Sequence, residues 1–347
     1  MEINETLRER YEVQGGSTTF WKSVIDVVTQ GESSVASLAL NASVLPQGRY
    51  VARASGDARK PRKGSSSVNM DALEGEEAFT RPNGEKYFGR TWGIHSDVMT
   101  LRKAREATAL ANTKGGSSAM YAMLYGAPGC GKTALVEAAF SDTYTLMGTG
   151  DTEVSDMLGS YIQNASGGFE WIDGDLVKAA ETGAVYFIDE IGLIDPKVLS
   201  IVYGLMDGRR EIIVTANPER GTVKAHPNFF VVAATNPNAP GVRLSEALLS
   251  RFTVQAEMTT DWSLARKLGV PSSMVTVGQK LSQKQGEGLT SWAPQMRELI
   301  AFRDIAEVFG TDFAIGNILA SAPEIDRAIV VDLITRAFGE ECKPAKI

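Results

Sequence analysis

The sequence predicts an α/β fold, a parallel sheet sandwiched between helices, with a smaller all-helical subdomain after it. From about Arg81 onward, helical patterns alternate with short apolar runs. One of these runs, "AMYAMLY", breaks into a glycine-rich stretch and is followed by a helical pattern. After about Asp261 the apolar runs stop, while helical periodicity continues. Strict alternation of this kind is the signature of crossover connections between parallel strands, with ligands expected at the carboxyl ends of those strands.

Taken in chain order, residues 1–47 read as a helical extension. "TTFWKSVIDVVTQ", Thr18 to Gln30, places Phe20, Trp21, Val24, Ile25, Val27 and Val28 on one stripe. A helix packed on its own chain and an amphipathic helix for a partner give the same pattern. Residues 48–80 read as a flexible basic linker. They carry Arg49, Arg53, Arg59, Lys60, Arg62 and Lys63 with few bulky apolar residues to bury. A nucleic-acid arm is the competing reading.

Residues 81–260 read as the α/β core. Its helices are expected at Ser96–Asn112, Lys132–Phe140, Gly174–Thr182 and Pro196–Met206. Its strands are "AMYAMLY", "TYTLM", "AVYFI", "FFVVAAT" and "TVQAEM", five runs whose bulk and brevity suit buried parallel strands. Residues 261–347 read as the helical subdomain, with segments around Met274–Lys284, Pro294–Val308, Asp312–Ala320 and Ile325–Phe338.

The bulk numbers agree with a soluble protein. The 347-residue chain is 43% hydrophobic and 22% charged, and no apolar run approaches the roughly 18 residues that span a bilayer. Its start, "MEINETLRER", lacks a secretory core. Cys130 and Cys342 are too few and too far apart for a disulfide framework. The expectation is a cytoplasmic protein with no membrane partner. A formal charge of −7 argues against whole-surface binding to nucleic acid.

The chemistry is concentrated at four places. Gly126-Ala127-Pro128-Gly129-Cys130-Gly131-Lys132-Thr133 satisfies G-x-x-x-x-G-K-[ST] between a strand and a helix. Glycines let backbone N–H groups wrap a phosphate, and the helix adds its positive N-terminal end. Lys132 offers a charge to the outer phosphates, Thr133 an oxygen to Mg²⁺, and Cys130 fills space in the loop. "AVYFIDE" runs a buried strand into Asp189 and Glu190. There Asp189 holds Mg²⁺ beside Thr133, and Glu190 orients and deprotonates water. "FFVVAATNPN" ends a strand at Thr235 and Asn236, bringing an amide near that water, with a capping role as the alternative. "LSEALLSRF" ends a short helix with Arg251, either a cation answering the helix dipole or a finger for a neighbouring subunit's nucleotide.

In this order and spacing, "GAPGCGKT", "VYFIDE", "VVAATNPN" and "LSEALLSRF" resemble the AAA+ ATPases, and among them the MoxR, CbbQ, NorQ, GvpN and dynein-related branch. "DTEVSDMLGSYIQNASGGFEWIDGDLVKAAETG" looks like that branch's insert in helix 2, and "DGRREIIVTANPERGTVKAHPNFF" like its hairpin before the next strand. The resemblance covers roughly Arg81 to Phe302. "LSEALLSRF" is also similar to AAA+ proteins encoded by bacteriophages. The resemblance implies a five-stranded P-loop core with a helical lid, Gly126–Thr133 as Walker A, and Asp189 with Glu190 as Walker B. It further implies Asn236 as sensor 1, Arg251 as arginine finger and, from "SWAPQMRELIAF", Arg297 as sensor 2, a surface arginine being the alternative. Related chains often follow Walker B with Asn-Arg, where this one has Gly192-Leu193.

The implied function is ATP hydrolysis with Mg²⁺ by a homo-oligomer, a hexameric ring that remodels an unidentified client protein. The alternative is a nucleic-acid-associated motor or restriction-type component, supported by the basic linker and by Arg209, Arg210, Arg220 and Lys224 in the hairpin. Against it, the basic stretch Arg49–Lys63 holds Tyr50 alone where single-strand grooves interleave several aromatic residues with basic ones. The base pocket falls to the stretch near Trp92–His95, which leaves ATP over GTP open.

Overall fold

A computed structural model of the chain describes residues 77–114 and 119–339. The stripe at Thr18–Gln30, the basic residues Arg49–Lys63 and Cys342 lie outside the described residues. Among the described residues, two short hairpins come first. β1 (Ala78–Thr80) pairs antiparallel with β2 (Lys86–Phe88), and β3 (Thr91–Trp92) with β4 (His95–Ser96). Residues 78–80, expected to end the linker, are therefore strand. The turn that returns them closes at Gly84, whose φ of 83° is left-handed and whose N–H donates to the Arg81 carbonyl at 2.9 Å.

Helix α1 (Asp97–Lys114) buries Val98, Leu101, Ala104, Thr108 and Ala111, one face at every third or fourth residue. β5 (Ala122–Tyr125) enters the glycine loop and α2 (Lys132–Ala139) leaves it, followed by β6 (Thr143–Met147). The segment that resembles a helix insert holds α3 (Val154–Leu158), the hairpin β7 (Gly159–Gln163) and β8 (Phe169–Asp173), and α4 (Asp175–Thr182). β9 (Val185–Asp189) and a 3₁₀ turn lead to α5 (Pro196–Met206), which Asp195 caps by accepting the Lys197 N–H at 2.8 Å. A second hairpin, β10 (Glu211–Ile213) with β11 (Thr222–Lys224), precedes β12 (Phe230–Thr235), α6 (Glu246–Leu249) and β13 (Val254–Glu257).

The sheet has five parallel strands in the order β13-β5-β12-β9-β6. β9 and β12 are buried along their whole lengths, and β5 is buried except at Tyr125. The two edges are not. β6 and β13 have a neighbour on one side only, so the expectation that all five runs are buried fails there, and Met147 is exposed. The chain leaves β5 for the far edge and returns through β9 to β12, beside β5. This reversal sets the carboxyl ends of β5, β9 and β12 side by side, with Thr235 opposite Tyr125 in the register.

Five helices follow the sheet: α7 (Trp262–Lys267), α8 (Ser272–Gly286), α9 (Met296–Phe309), α10 (Thr311–Ser321) and α11 (Arg327–Phe338). They enclose a second core, with Val275, Leu281, Leu299, Phe302, Leu319, Val330 and Ile334 buried against one another. α7 is absent from the sequence reading because six residues hold fewer than two helical turns. Its N-terminus is set by Asp261, whose carboxylate accepts the Leu264 N–H at 2.9 Å. No helix among the described residues is long and apolar enough to cross a membrane.

Candidate functional site

The loop Gly126–Thr133 is anchored from below and from both flanks. Gly126 N–H donates to the Thr235 carbonyl at 3.1 Å, tying the loop to β12. A side chain at Gly126 would place its Cβ 2.4 Å from the Met258 carbonyl oxygen and 2.9 Å from Cys130 Sγ, so only glycine fits. Buried Cys130 fills the space beneath. Gly129 and Gly131 sit at φ 84° and 99°, the left-handed region that favours glycine. α2 begins at Gly131 with no side-chain cap, so its first amides are not claimed by a capping oxygen. Such amides suit an anion such as a phosphate.

Lys132 is buried, and its Nζ donates to the carbonyls of Gly126 and Ala127 at 2.8 and 3.1 Å. Its ammonium therefore lies over the loop, bound to the loop's own backbone. Beside it Thr133 Oγ1 donates to Asp189 Oδ2 at 2.7 Å, while Asp189 Oδ1 accepts the Glu190 N–H at 3.0 Å. Asp189 ends β9, and the strand's apolar residues give it no exposed turn to escape into. Glu190 takes φ 52°, left-handed for a non-glycine residue. Its Oε2 accepts the Asn236 backbone N–H at 3.4 Å, so the acid reaches across to the end of β12.

A hydroxyl and a carboxylate in contact, with a second carboxylate adjoining, form a hard oxygen set of the kind Mg²⁺ uses together with phosphate oxygens and water. Among the described residues no cluster of three or more His, Cys, Asp or Glu could hold a metal by itself. Such a site would thus need the phosphates to complete it.

The other three candidates are placed differently. Asn236 Oδ1 accepts the N–H of Asn238 at 3.2 Å, a turn-capping bond. Arg251 lies over the Tyr203 ring, 4.2 Å from its centroid, and donates to the Ala247 carbonyl of its own helix at 2.5 Å. That is a cation at a helix end, packed on α5 instead of pointing outward. Arg297 is exposed, but its backbone N–H donates to the Gly129 carbonyl at 3.3 Å, which docks the start of α9 on the loop. Gly192 also has a physical reason. A Cβ there would lie 2.6 Å from Val242 Cγ1 and 2.8 Å from Thr235 Oγ1, leaving no room for a side chain.

The sequence reading missed a polar cluster around the loop. Arg90 donates to the Cys130 carbonyl at 2.7 Å and to the Thr259 carbonyl at 3.0 Å. Its own backbone is held by Asp97, whose Oδ1 accepts the Arg90 N–H at 3.0 Å, and Tyr87 donates to the other carboxylate oxygen. Burial pushes the Asp97 carboxyl up, partly offset by these bonds, and burial pushes the Tyr87 phenol up as well. Thr260 Oγ1 donates to Gln295 Oε1 at 2.7 Å, and Gln295 with Glu298 forms the capping box that starts α9. In the stretch expected to form the base pocket, Trp92 packs on the sheet core and Ile94 is exposed.

A cavity of about 830 Å³ lies away from this site, at the far end of α2, lined by Arg102, Arg105, Glu137 and Asp142 among others. Its arginines are spent on structure: Arg102 bonds the Ala138 and Ala139 carbonyls, and Arg105 pairs with Asp142. The glycine loop, with its bound lysine and adjoining acids, is where the chemistry converges.

Residues 122–252 match the AAA domain (dynein-related subfamily). An uncharacterized protein of Staphylococcus aureus strain USA300 is 30% identical over 227 residues, 59% of this chain and 85% of that one. The counterpart in strain MRSA252 gives the same values. A solved structure of NtrX from Brucella abortus in complex with ADP aligns over 73% of this chain and 62% of that chain, at 18% identity and a TM-score of 0.39, a likeness too distant to carry an argument. The matched span runs from the start of β5 to Phe252, taking in the glycine loop, both acids, the end of β12 and Arg251, and the chain belongs to the AAA-domain family, dynein-related subfamily.

Proposed function

We propose that the protein binds and hydrolyses ATP with Mg²⁺, and that it does so as a ring-forming remodeller of a partner protein, similar to the MoxR and CbbQ branch. The observation that carries the reading is the contact between Thr133 and Asp189 with Glu190 next in the chain, at the mouth of a glycine loop. In this reading the loop amides and Lys132 hold the outer phosphates, and Lys132 exchanges its carbonyl partners for phosphate oxygens. Thr133 and Asp189 would hold Mg²⁺, and the ion would supply charge neutralisation to the phosphates. Glu190 takes the proton of the attacking water. Asn236, Arg251 and Arg297 are assigned to sensing and to the transition-state charge, Arg251 across a subunit boundary.

Protein remodelling is favoured over a nucleic-acid motor by two features. The hairpin β7–β8 exposes Tyr161 and Phe169 on one face and Ile162 and Ile172 on the other, apolar side chains suited to contact with a polypeptide. The basic residues of the other hairpin are largely engaged within the chain. Arg220 pairs with Asp173 and Glu181, Arg209 pairs with Asp207, and Arg210 donates to the Ala225 and His226 carbonyls. These bonds hold Arg210 and Arg220 against the fold instead of leaving them free to reach a phosphodiester backbone. The test is titration with a fluorescent ATP analogue. The wild type is expected to bind and Lys132→Ala to lose binding; equal affinity in both would refute the nucleotide site.

A further inference from the structure

We propose that Arg90 is a positioning residue that sets the peptide orientation of the phosphate loop and ties the loop to the junction with the helical subdomain. The proposal rests on the nucleotide reading of the loop. Arg90 lies outside the glycine motif, in the segment between β2 and β3, yet its guanidinium reaches two backbone carbonyls that are far apart in sequence. One Nη2 bond goes to Cys130 at 2.7 Å, inside the loop. One Nη1 bond goes to Thr259 at 3.0 Å, between β13 and α7.

The first bond has a consequence for anion binding. The Cys130–Gly131 peptide is planar and trans, so its C=O and N–H point in opposite directions. Drawing the Cys130 carbonyl toward Arg90 turns the Gly131 N–H away from it, into the orientation an anion can use. Gly131 is where this contact is closest: a Cβ there would lie 2.8 Å from Arg90 Nη2. The neighbouring Gly129 carbonyl is held by the Arg297 N–H at 3.3 Å. Two consecutive carbonyls of the loop, at 129 and 130, are thus each held by a donor from outside it.

The second bond makes the clamp a link. Thr259 is followed by Thr260, which bonds Gln295 at the start of α9. Motion of the helical subdomain therefore pulls on the same guanidinium that orients the loop. Arg90 is itself fixed, through its backbone N–H on Asp97 and through the Tyr87–Asp97 hydrogen bond. A lysine cannot replace it, because a single ammonium lacks the planar fork that spans two carbonyls.

The test uses the full chain, with Arg90→Ala and Arg90→Lys. Loss of charge-assisted bonds to the loop is expected to weaken binding of a fluorescent ATP analogue by about 10- to 100-fold. Turnover at saturating ATP should stay within about three-fold of wild type, because no reacting atom is touched. Amide exchange should quicken together in peptides covering 126–135 and 257–262. A purely local structural role would quicken exchange around 78–96 alone. Folded variants with wild-type affinity and wild-type loop exchange would overturn the proposal. In the wild type, nucleotide should slow exchange in both peptides; protection of the loop with no change at 257–262 would overturn the link even if neither variant folds. A wild type that binds no nucleotide, or a Lys132→Ala variant that binds like it, would instead bring down the nucleotide reading itself.

Discussion

Replacing Arg251 with alanine separates two roles whose energies differ. In the structure the guanidinium stacks on Tyr203 at 4.2 Å and donates to the Ala247 carbonyl. Losing a half-exposed cation–π contact and one hydrogen bond costs about 1–2 kcal/mol of stability. A finger acting on a neighbour's nucleotide is worth about 10³–10⁵ in rate, or about 4–7 kcal/mol of transition-state energy. Arg251→Ala should therefore melt only a few degrees lower, bind ATP almost normally and hydrolyse it very poorly. Thermal unfolding and a steady-state phosphate-release assay read the two effects independently. Because the arginine must leave Tyr203 to reach another subunit, Tyr203→Leu should lower stability without lowering turnover. Mixing Arg251→Ala with Lys132→Ala subunits should restore part of the activity, where an intact finger meets an intact loop. Wild-type activity per subunit should also rise with protein concentration. An Arg251→Ala protein that loses stability but turns over ATP normally would leave Arg251 as a helix-end cation. Mixing that restores nothing would remove the trans assignment, and with it the main support for a ring.

Two further outcomes follow from the packing. Gly192→Ala should destabilise the fold by about 1–3 kcal/mol, since its Cβ must displace Val242 and Thr235 Oγ1; a melting temperature equal to wild type would contradict this. Asp173 sets a pH dependence. Partial burial pushes its carboxyl up, but the hydrogen bonds from Arg220 and Trp171 outweigh this and hold it below the ordinary carboxylate range. A lowered folded value means its stabilisation is present above the unfolded carboxyl pKa and lost as pH falls through the folded one. Arg220→Ala should cost stability at pH 7 and much less at acid pH, measured by thermal unfolding; an equal cost at both would refute the pairing.

The central strands were legible because burial on both faces leaves only apolar residues, as in "VYFI" of β9 and "FVVAA" of β12. The Gly126–Thr133 loop was legible because its glycines have no substitutes at those angles and contacts. The edges of the sheet misled, since β6 and β13 are apolar enough to look buried. β1 to β4 are two or three residues long, too short for any periodicity to register. Arg90 left no local trace at all: its partners lie 40 and 169 residues away, and a lone arginine looks like a solvated one. The basic hairpin misled in the opposite sense, because Arg220 looked available in the sequence and is paired with Asp173 and Glu181 across the fold.

The central claim is that Glu190 activates water against a nucleotide held by the glycine loop. It is tested most directly by ATP turnover of the full chain with Mg²⁺, wild type against Glu190→Gln, with ATP affinity measured on the same samples. The amide keeps the shape of the side chain and its contact with the Asn236 backbone but cannot take a proton. Affinity should be preserved while turnover falls by about 10²-fold or more. Turnover near the wild-type rate would place the base elsewhere and contradict the reading of Asp189 and Glu190.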